Sequence, residues 1–210
     1  MKLAVTATGK TSVALGFRAH SGWAAVVAVA GPLRSPEVVD RRRIEIADPA
    51  IPGSKQPYHA AEGLPLKKAE ALIERCAAST QKLARGAVRT LVQDLEKRGC
   101  AVIGAGILLG SGRPVPALAV TLASHALIHT AEGEFFRNAI IEASEHCNIP
   151  LVRVKERELF QCAASQLRVP AGELQRRVAE MGKLIGPPWR QDEKLATLVG
   201  WLVLAGTPSQ

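Results

Sequence analysis

One uninterrupted apolar run constrains the fold of this chain more than any other feature. Residues Cys100–Leu109 read CAVIGAGILL, without a single charged side chain. Strands that are buried on both faces have such runs, and they are typical of parallel sheets covered by helices. The run therefore predicts the central strand of an α/β domain.

The segments on either side of this run supply the other elements of the predicted domain. Period-two patterns and short apolar runs predict strands, and long stretches of helical periodicity predict the helices between them. The predicted order is β-β-β-α-β-α-β-α, a five-stranded mixed sheet with helices on both faces. The remaining predicted strands are Thr11–Phe17, Trp23–Val29, Val38–Ile46 and Ile149–Val154, and the predicted helices are Leu66–Arg98, Ala117–Cys147 and segments near 157–168, 171–185 and 191–205.

The chain has the length and composition of one globular domain. With 210 residues, of which 47% are hydrophobic and 22% charged, it is long enough to bury a substantial core. We expect residues 1–11 to form a loose N-terminal tail and residues 12–206 to form a single domain. Residues 47–65, which contain four prolines and His59, are predicted to be a loop.

The charge of the chain favours one class of partner. The net charge is +8, and a basic domain often binds nucleic acid or another polyanion. The alternative is that the many arginines reflect only the general amino-acid composition of proteins in the source organism. No apolar run approaches the roughly 20 residues that a membrane helix needs, so we expect no membrane partner.

The N-terminal stretch and the cysteines bear on the cellular compartment of the protein. The N-terminal stretch MKLAVTATGK lacks the apolar middle of a signal peptide, and the four cysteines have no paired spacing. Both features predict a cytoplasmic protein with reduced thiols. A homodimer is an open alternative, for which the tryptophans Trp23, Trp189 and Trp201 provide the only indication.

Three segments resemble the Holliday-junction resolvase branch of the ribonuclease H-like superfamily. In ALGFRAHSGWAAV, Gly16-Phe17 and Gly22-Trp23 stand where that family has a Gly-apolar-Asp start and then a Gly-aromatic pair. AVIGAGILL resembles the fourth strand of the family, and DEKLATLVGWLVL, from Asp192, resembles its last helix. The resemblance implies a ribonuclease H-like fold over roughly residues 12–205.

The same resemblance implies metal-binding acids at three places, and this sequence departs from two of them. Arg18 stands at the first-strand position, and IGAGILLG, at the fourth strand, has no acid; only Asp192 and Glu193 remain. A two-metal phosphodiester site needs clustered carboxylates to hold two cations about 4 Å apart. We therefore expect a nucleic-acid-interacting domain with a non-standard polar cleft and without the standard two-metal nuclease site. Arg18 and Arg113, near strand ends, are predicted anion-binding residues.

A second group of polar residues lies in ASHALIHTAEGEF. His125, His129 and Glu132 fall on one face of the predicted helix, and two histidines four residues apart can bind zinc. The alternative is packed, hydrogen-bonded histidines without a ligand. If this helix reaches the strand ends, general acid–base or nucleophilic catalysis becomes possible, and the open alternatives are a hydrolase, with or without a divalent metal, and an inactive interaction module. The candidate catalytic residues are His20, Ser124, His125, His129 and Glu132, with His59 as a further member.

Overall fold

A computed structural model describes residues 9–110 and 114–206 and contains a single five-stranded sheet. The strand order is β3-β2-β1-β4-β5; β2 is antiparallel to β1 and β3, whereas β1, β4 and β5 are parallel. The predicted mixed sheet is confirmed, with the apolar run as β4 between β1 and β5. The strands are β1 Thr11–His20, β2 Trp23–Ala30, β3 Glu37–Glu45, β4 Cys100–Leu109 and β5 Leu151–Lys155.

Helices cover both faces of the sheet, as predicted. One face packs against α2 and α4, and the other packs against α7, which in turn contacts α5 and α6. No helix in the described ranges has the length and apolarity required to cross a membrane. The helices are α1 Pro57–Ala61, α2 Leu66–Lys97, α3 Leu118–Leu122, α4 His125–His146, α5 Leu159–Leu167, α6 Ala171–Ile185 and α7 Gln191–Gly206.

Two helical segments differ from the prediction. The predicted helix Ala117–Cys147 is interrupted at Ser124, whose backbone is extended (φ −141°, ψ 114°). Serine is a preferred residue at the position that precedes a helix, and the carbonyl of Ser124 accepts the first hydrogen bonds of α4. The predicted loop 47–65 contains the short helix α1, which begins at Pro57, a residue type suited to the first helical turn.

The first hairpin is longer than its sequence indicated. β1 continues to His20 instead of ending at Phe17, and only Ser21 and Gly22 form the turn. Gly22 adopts a left-handed conformation (φ +84°), which glycine reaches without the steric cost of a Cβ. Arg18 and His20 are therefore strand residues, directly opposite Ala25 and Trp23 of β2.

The alternation of β1 decides which face each of its side chains occupies. Val13, Leu15 and Phe17 belong to the core formed with α2 and α4. Gly16 and Arg18, at the intervening positions, face α7. Since side chains two residues apart share a face, the polar residues at the end of β1 point toward α7.

The contact between β1 and α7 is a backbone-to-backbone approach at Gly16. A Cβ atom at Gly16 would lie 1.8 Å from the carbonyl oxygen of Ala196, far closer than a non-bonded carbon and oxygen can approach. Gly200 of α7 faces the same point, where a Cβ would lie 3.2 Å from the backbone nitrogen of Gly16. This close packing explains why residue 16 is a glycine, and it brings the start of α7 to the end of β1.

Candidate functional site

The guanidinium of Arg18 lies between two carboxylates at the carboxyl end of β1. Its Nε and Nη2 donate to the two oxygens of Glu156, at 3.0 and 2.9 Å, and its Nη1 donates to Oδ1 of Asp192. Paired hydrogen bonds of this type combine charge with a fixed planar geometry. Arg18, His20, Glu156 and Asp192 are called the arginine network below.

His20 joins this network on the same face of β1. Its Nε2 lies 2.8 Å from Oδ1 of Asp192 and 3.2 Å from Nη1 of Arg18. A carboxylate oxygen can only accept and a guanidinium can only donate, so Nε2–H donates to Asp192, the nearer of the two. The imidazole also stacks on Trp23, with ring centroids 4.3 Å apart, and the guanidinium of Arg43 lies 3.9 Å from the Trp23 ring centre. The ring of His20 is thus held by both a hydrogen bond and stacking.

The network fixes the charges of Arg18 and Asp192. Burial alone would raise the pKa of Asp192, but hydrogen bonds from His20 and Arg18 hold that pKa below its usual value. Burial would likewise lower the pKa of Arg18, yet Glu156 and Asp192 raise it. Asp192 is therefore a carboxylate, and Arg18 a cation, throughout the physiological range.

Glu156 was not predicted from the sequence, whereas Glu193, which was predicted as a site acid, is not part of the arginine network. Glu156 directly follows β5, and β1, β4 and β5 are parallel, so their carboxyl ends meet at one edge of the sheet. That placement was the available signal for Glu156. Glu193, the other predicted acid of α7, instead accepts a hydrogen bond from the backbone nitrogen of Arg190 and lies outside the network.

A second group of side chains forms between α1 and α4. His59 of α1 meets His125 and His129 of α4, with ring centroids 4.5 to 5.3 Å apart. Nε2 of His125 lies 3.1 Å from Nε2 of His129, and each ring offers a nitrogen within 4.8 Å of the other two. These three residues are called the histidine cluster below.

Glu132 lies behind this cluster instead of within it. Its side chain is only 3% exposed, and its Oε2 lies 2.5 Å from Nδ1 of His59. The backbone nitrogen of Tyr58 donates to the other oxygen at 3.2 Å. Burial raises the pKa of Tyr58, and the negative charge of Glu132 adds to that effect. His59 therefore takes the third place that the sequence pattern gave to Glu132.

The structure separates His20 from the predicted residues of α4. His20 faces α7, whereas α4 packs on the opposite face of the sheet, and no hydrogen bond or ring contact joins the two groups within residues 9–110 and 114–206. The hydroxyl of Ser124 makes no hydrogen bond to the histidines in these ranges. The catalytic roles of these residues stay predictions.

The two predicted anion-binding arginines have different outcomes. Arg113 lies outside the described residues. Arg18 faces two carboxylates of the chain itself, so anion binding by Arg18 stays a prediction.

A groove on α2 presents cations that sequence interpretation did not select. Lys82, Arg85 and Arg89 line it together with His146 of α4. Nε of Arg85 is buried without a hydrogen-bond partner, and neither Arg85 nor Arg89 forms an ion pair in the described part of the chain. These four residues are called the basic groove. Lys82, Arg85 and Arg89 follow one another at steps of three and four residues, a spacing on one helical face that is visible in the sequence.

Comparison with known proteins gives similarity of structure alone. No family model matches the chain, and no curated protein matches it. Its structure is similar to that of Thermus thermophilus RuvC, with a TM-score of 0.51 and 11% sequence identity over 92% of this chain and 93% of that one. T. thermophilus RuvC in complex with Holliday junction substrate matches over the same shares, with a TM-score of 0.51 and 9% identity. The chain thus has the ribonuclease H-like fold that the resemblance of its sequence implies.

Proposed function

We propose that this chain is a nucleic-acid-binding domain whose ribonuclease H-like cleft holds an ion network in place of a two-metal nuclease site. One observation carries the proposal: the guanidinium of Arg18 is fixed between Glu156 and Asp192 at the carboxyl end of β1. A cation of the protein itself stands where the family pattern calls for a carboxylate.

The residues at this edge of the sheet do not fit a two-metal centre. Divalent cations such as Mg²⁺ require clustered oxygen ligands, and each ion would meet a like charge beside Arg18. Leu109 and Gly110, at the end of β4, offer no carboxylate. Asp192, the one acid at a family position within the network, is already bonded to Arg18 and His20.

Three features support nucleic acid as the partner. The solved structure of RuvC with Holliday junction substrate shares the fold. The net charge of +8 favours a polyanion. Arg85 and Arg89 line the basic groove without an ion-pair partner in the described ranges, and a phosphate would supply one.

We expect Arg85→Gln with Arg89→Gln to weaken nucleic-acid binding and to reduce its dependence on salt. Each lost phosphate contact removes about 0.9 from the slope of log affinity against log salt concentration on duplex DNA. The measurement is fluorescence anisotropy with labelled four-way junction, duplex and single-stranded DNA at several salt concentrations.

The matched control is Arg176→Gln with Arg177→Gln on α6, which removes the same charge from arginines that already pair with Glu173. Equal weakening by both double variants would show that net charge, and not the groove, governs binding. No binding of any of these nucleic acids by the wild type would overturn the proposal and favour the interaction-module alternative.

The second half of the proposal is tested by cleavage. We expect no cleavage of these DNAs with Mg²⁺ or Mn²⁺, because the cleft lacks the ligands for the two ions. Metal-dependent cleavage that disappears in Asp192→Asn would contradict the proposal, since it would require Asp192 to act as a metal ligand.

A further inference from the structure

We propose that the histidine cluster is a zinc site. His59, His125 and His129 are its ligands, and Glu132 holds His59 in place from behind. This inference is independent of the proposed nucleic-acid function, because the cluster lies between α1 and α4 and shares no residue with the arginine network or the basic groove.

The spacing of the ring nitrogens suits one ion. Zinc–nitrogen bonds of about 2.05 Å in a tetrahedral site place the nitrogens roughly 3.3 Å apart. His125 and His129 already meet this spacing, since their Nε2 atoms lie 3.1 Å apart. All three ligand atoms lie within 4.8 Å of one another, so a shift of the His59 ring toward the other two would complete the spacing of a zinc site.

Ordinary packing does not account for the cluster. His125 and His129 are exposed on the surface of α4, so burial gains little from either ring. Their Nε2 atoms face each other at 3.1 Å, where one ring must donate its Nε2–H and the other must accept with its Nε2 lone pair. A single cation that accepts a lone pair from each of the three rings would satisfy the group as a whole.

Glu132 has the position of a carboxylate that supports a histidine ligand. Nδ1–H of His59 donates to Oε2 of Glu132, which leaves Nε2 of His59 as the ligand atom. The carboxylate is buried and also accepts from the backbone of Tyr58, so it fixes α1 as well as the imidazole. Hydrogen bonds of this kind set the tautomer of a ligating histidine and raise its basicity.

The type of donor favours a transition metal such as zinc over Mg²⁺ or Ca²⁺. Imidazole nitrogens suit zinc and neighbouring transition metals, whereas Mg²⁺ and Ca²⁺ require oxygen ligands. Three protein ligands leave the fourth tetrahedral position to water, and the exposure of His125 and His129 places that position at the surface.

The test is isothermal titration of the full chain, freed of metal with a chelator, with zinc chloride. We expect one zinc per chain for the wild type and no heat of binding with magnesium chloride. His125→Ala and His129→Ala should each abolish stoichiometric binding, and Glu132→Gln should weaken it by about 10- to 100-fold. Cobalt(II) absorption provides a second readout, since tetrahedral coordination gives intense visible bands that the variants should lose.

His146→Ala is the matched control, because His146 is an exposed histidine on the same helix and outside the cluster. It should bind zinc as the wild type does, and circular dichroism of every variant confirms that the fold is retained. Loss of binding in His146→Ala equal to that in His129→Ala would overturn the site, as would a wild type that binds less than one zinc per chain. Neither readout involves nucleic acid, so failure here leaves the proposed function standing.

Discussion

Gly16→Ala is expected to lower the free energy of unfolding by more than about 3 kcal/mol, or to prevent folding altogether. The added methyl carbon would lie 1.8 Å from the carbonyl oxygen of Ala196 and 2.8 Å from the backbone nitrogen of Gly200. Both atoms belong to the backbone of α7, so no side-chain rotation relieves the overlap. α7 must instead move away from β1, which would disrupt the core around Trp201. Urea unfolding followed by circular dichroism measures the effect.

Gly86→Ala provides the control for Gly16→Ala. Gly86 is exposed in the middle of α2, with nothing within 4 Å of an added Cβ. Alanine is a better helix former than glycine, so the free energy of unfolding of this variant should rise by about 0.5–1 kcal/mol. If Gly16→Ala unfolds at the same urea concentration as the wild type, α7 does not pack on β1 as described.

Arg18→Met is expected to lower the free energy of unfolding by about 1–3 kcal/mol at pH 7. Breaking a buried ion pair typically costs 3–5 kcal/mol, and partial exposure of the network reduces that figure. The side chain of Arg18 is 21% exposed, and without it Glu156 loses its cation while Asp192 keeps only its hydrogen bond with His20. The loss is measured by urea unfolding at several pH values.

The pH dependence of this loss has a definite sign. The pKa of Asp192 is lowered in the folded chain, so its contribution to stability is complete above the pKa of an unfolded aspartate, about 3.9. The contribution disappears as the pH falls through the lower folded value. The difference between wild type and Arg18→Met should therefore shrink below about pH 4, and a difference that persists there would contradict the role given to Asp192.

Arg153→Met is the control for the loss of one arginine from an ion pair. Arg153 of β5 pairs with Glu145 at 2.8 Å, but the two side chains are 47% and 57% exposed. Exposed pairs contribute at most about 1 kcal/mol, so this variant should remain close to the wild type. Equal losses in Arg153→Met and Arg18→Met would show that the arginine network has no special stabilising role.

The fold was predictable because its strongest signals are local. The apolar run Cys100–Leu109 marked the buried strand with the observed bounds, and helical periodicity located α2 and α7 to within a residue or two. Errors arose where polar residues continue an element. Arg18 and His20 belong to β1, but a polar strand end beyond the core has the composition of a connecting segment.

The candidate sites were predictable only in part, because they depend on which elements meet. The pairing of Arg18 with Asp192 follows from the family pattern, since both stand at positions that converge in the fold. Glu156 comes from the segment after β5, and only its place at the carboxyl end of a parallel strand indicates its partners. His59, from the segment after β3, was predicted as a further member of the histidine group, although no local pattern indicates which side chains it contacts. The separation of His20 from His129 follows from strand alternation, which could be applied only once the strand was known to reach His20.

The sheet separates the arginine network from the histidine cluster, which lie on its two opposite faces. Because β1 directs Arg18 toward α7 while α4 covers the other face, a change at the arginine network has no direct route to the histidine cluster. Substitutions in the two groups should therefore be additive in their effects on stability and binding, as is usual for sites without shared partners. We therefore expect that substitutions in either group leave the geometry of the other unchanged.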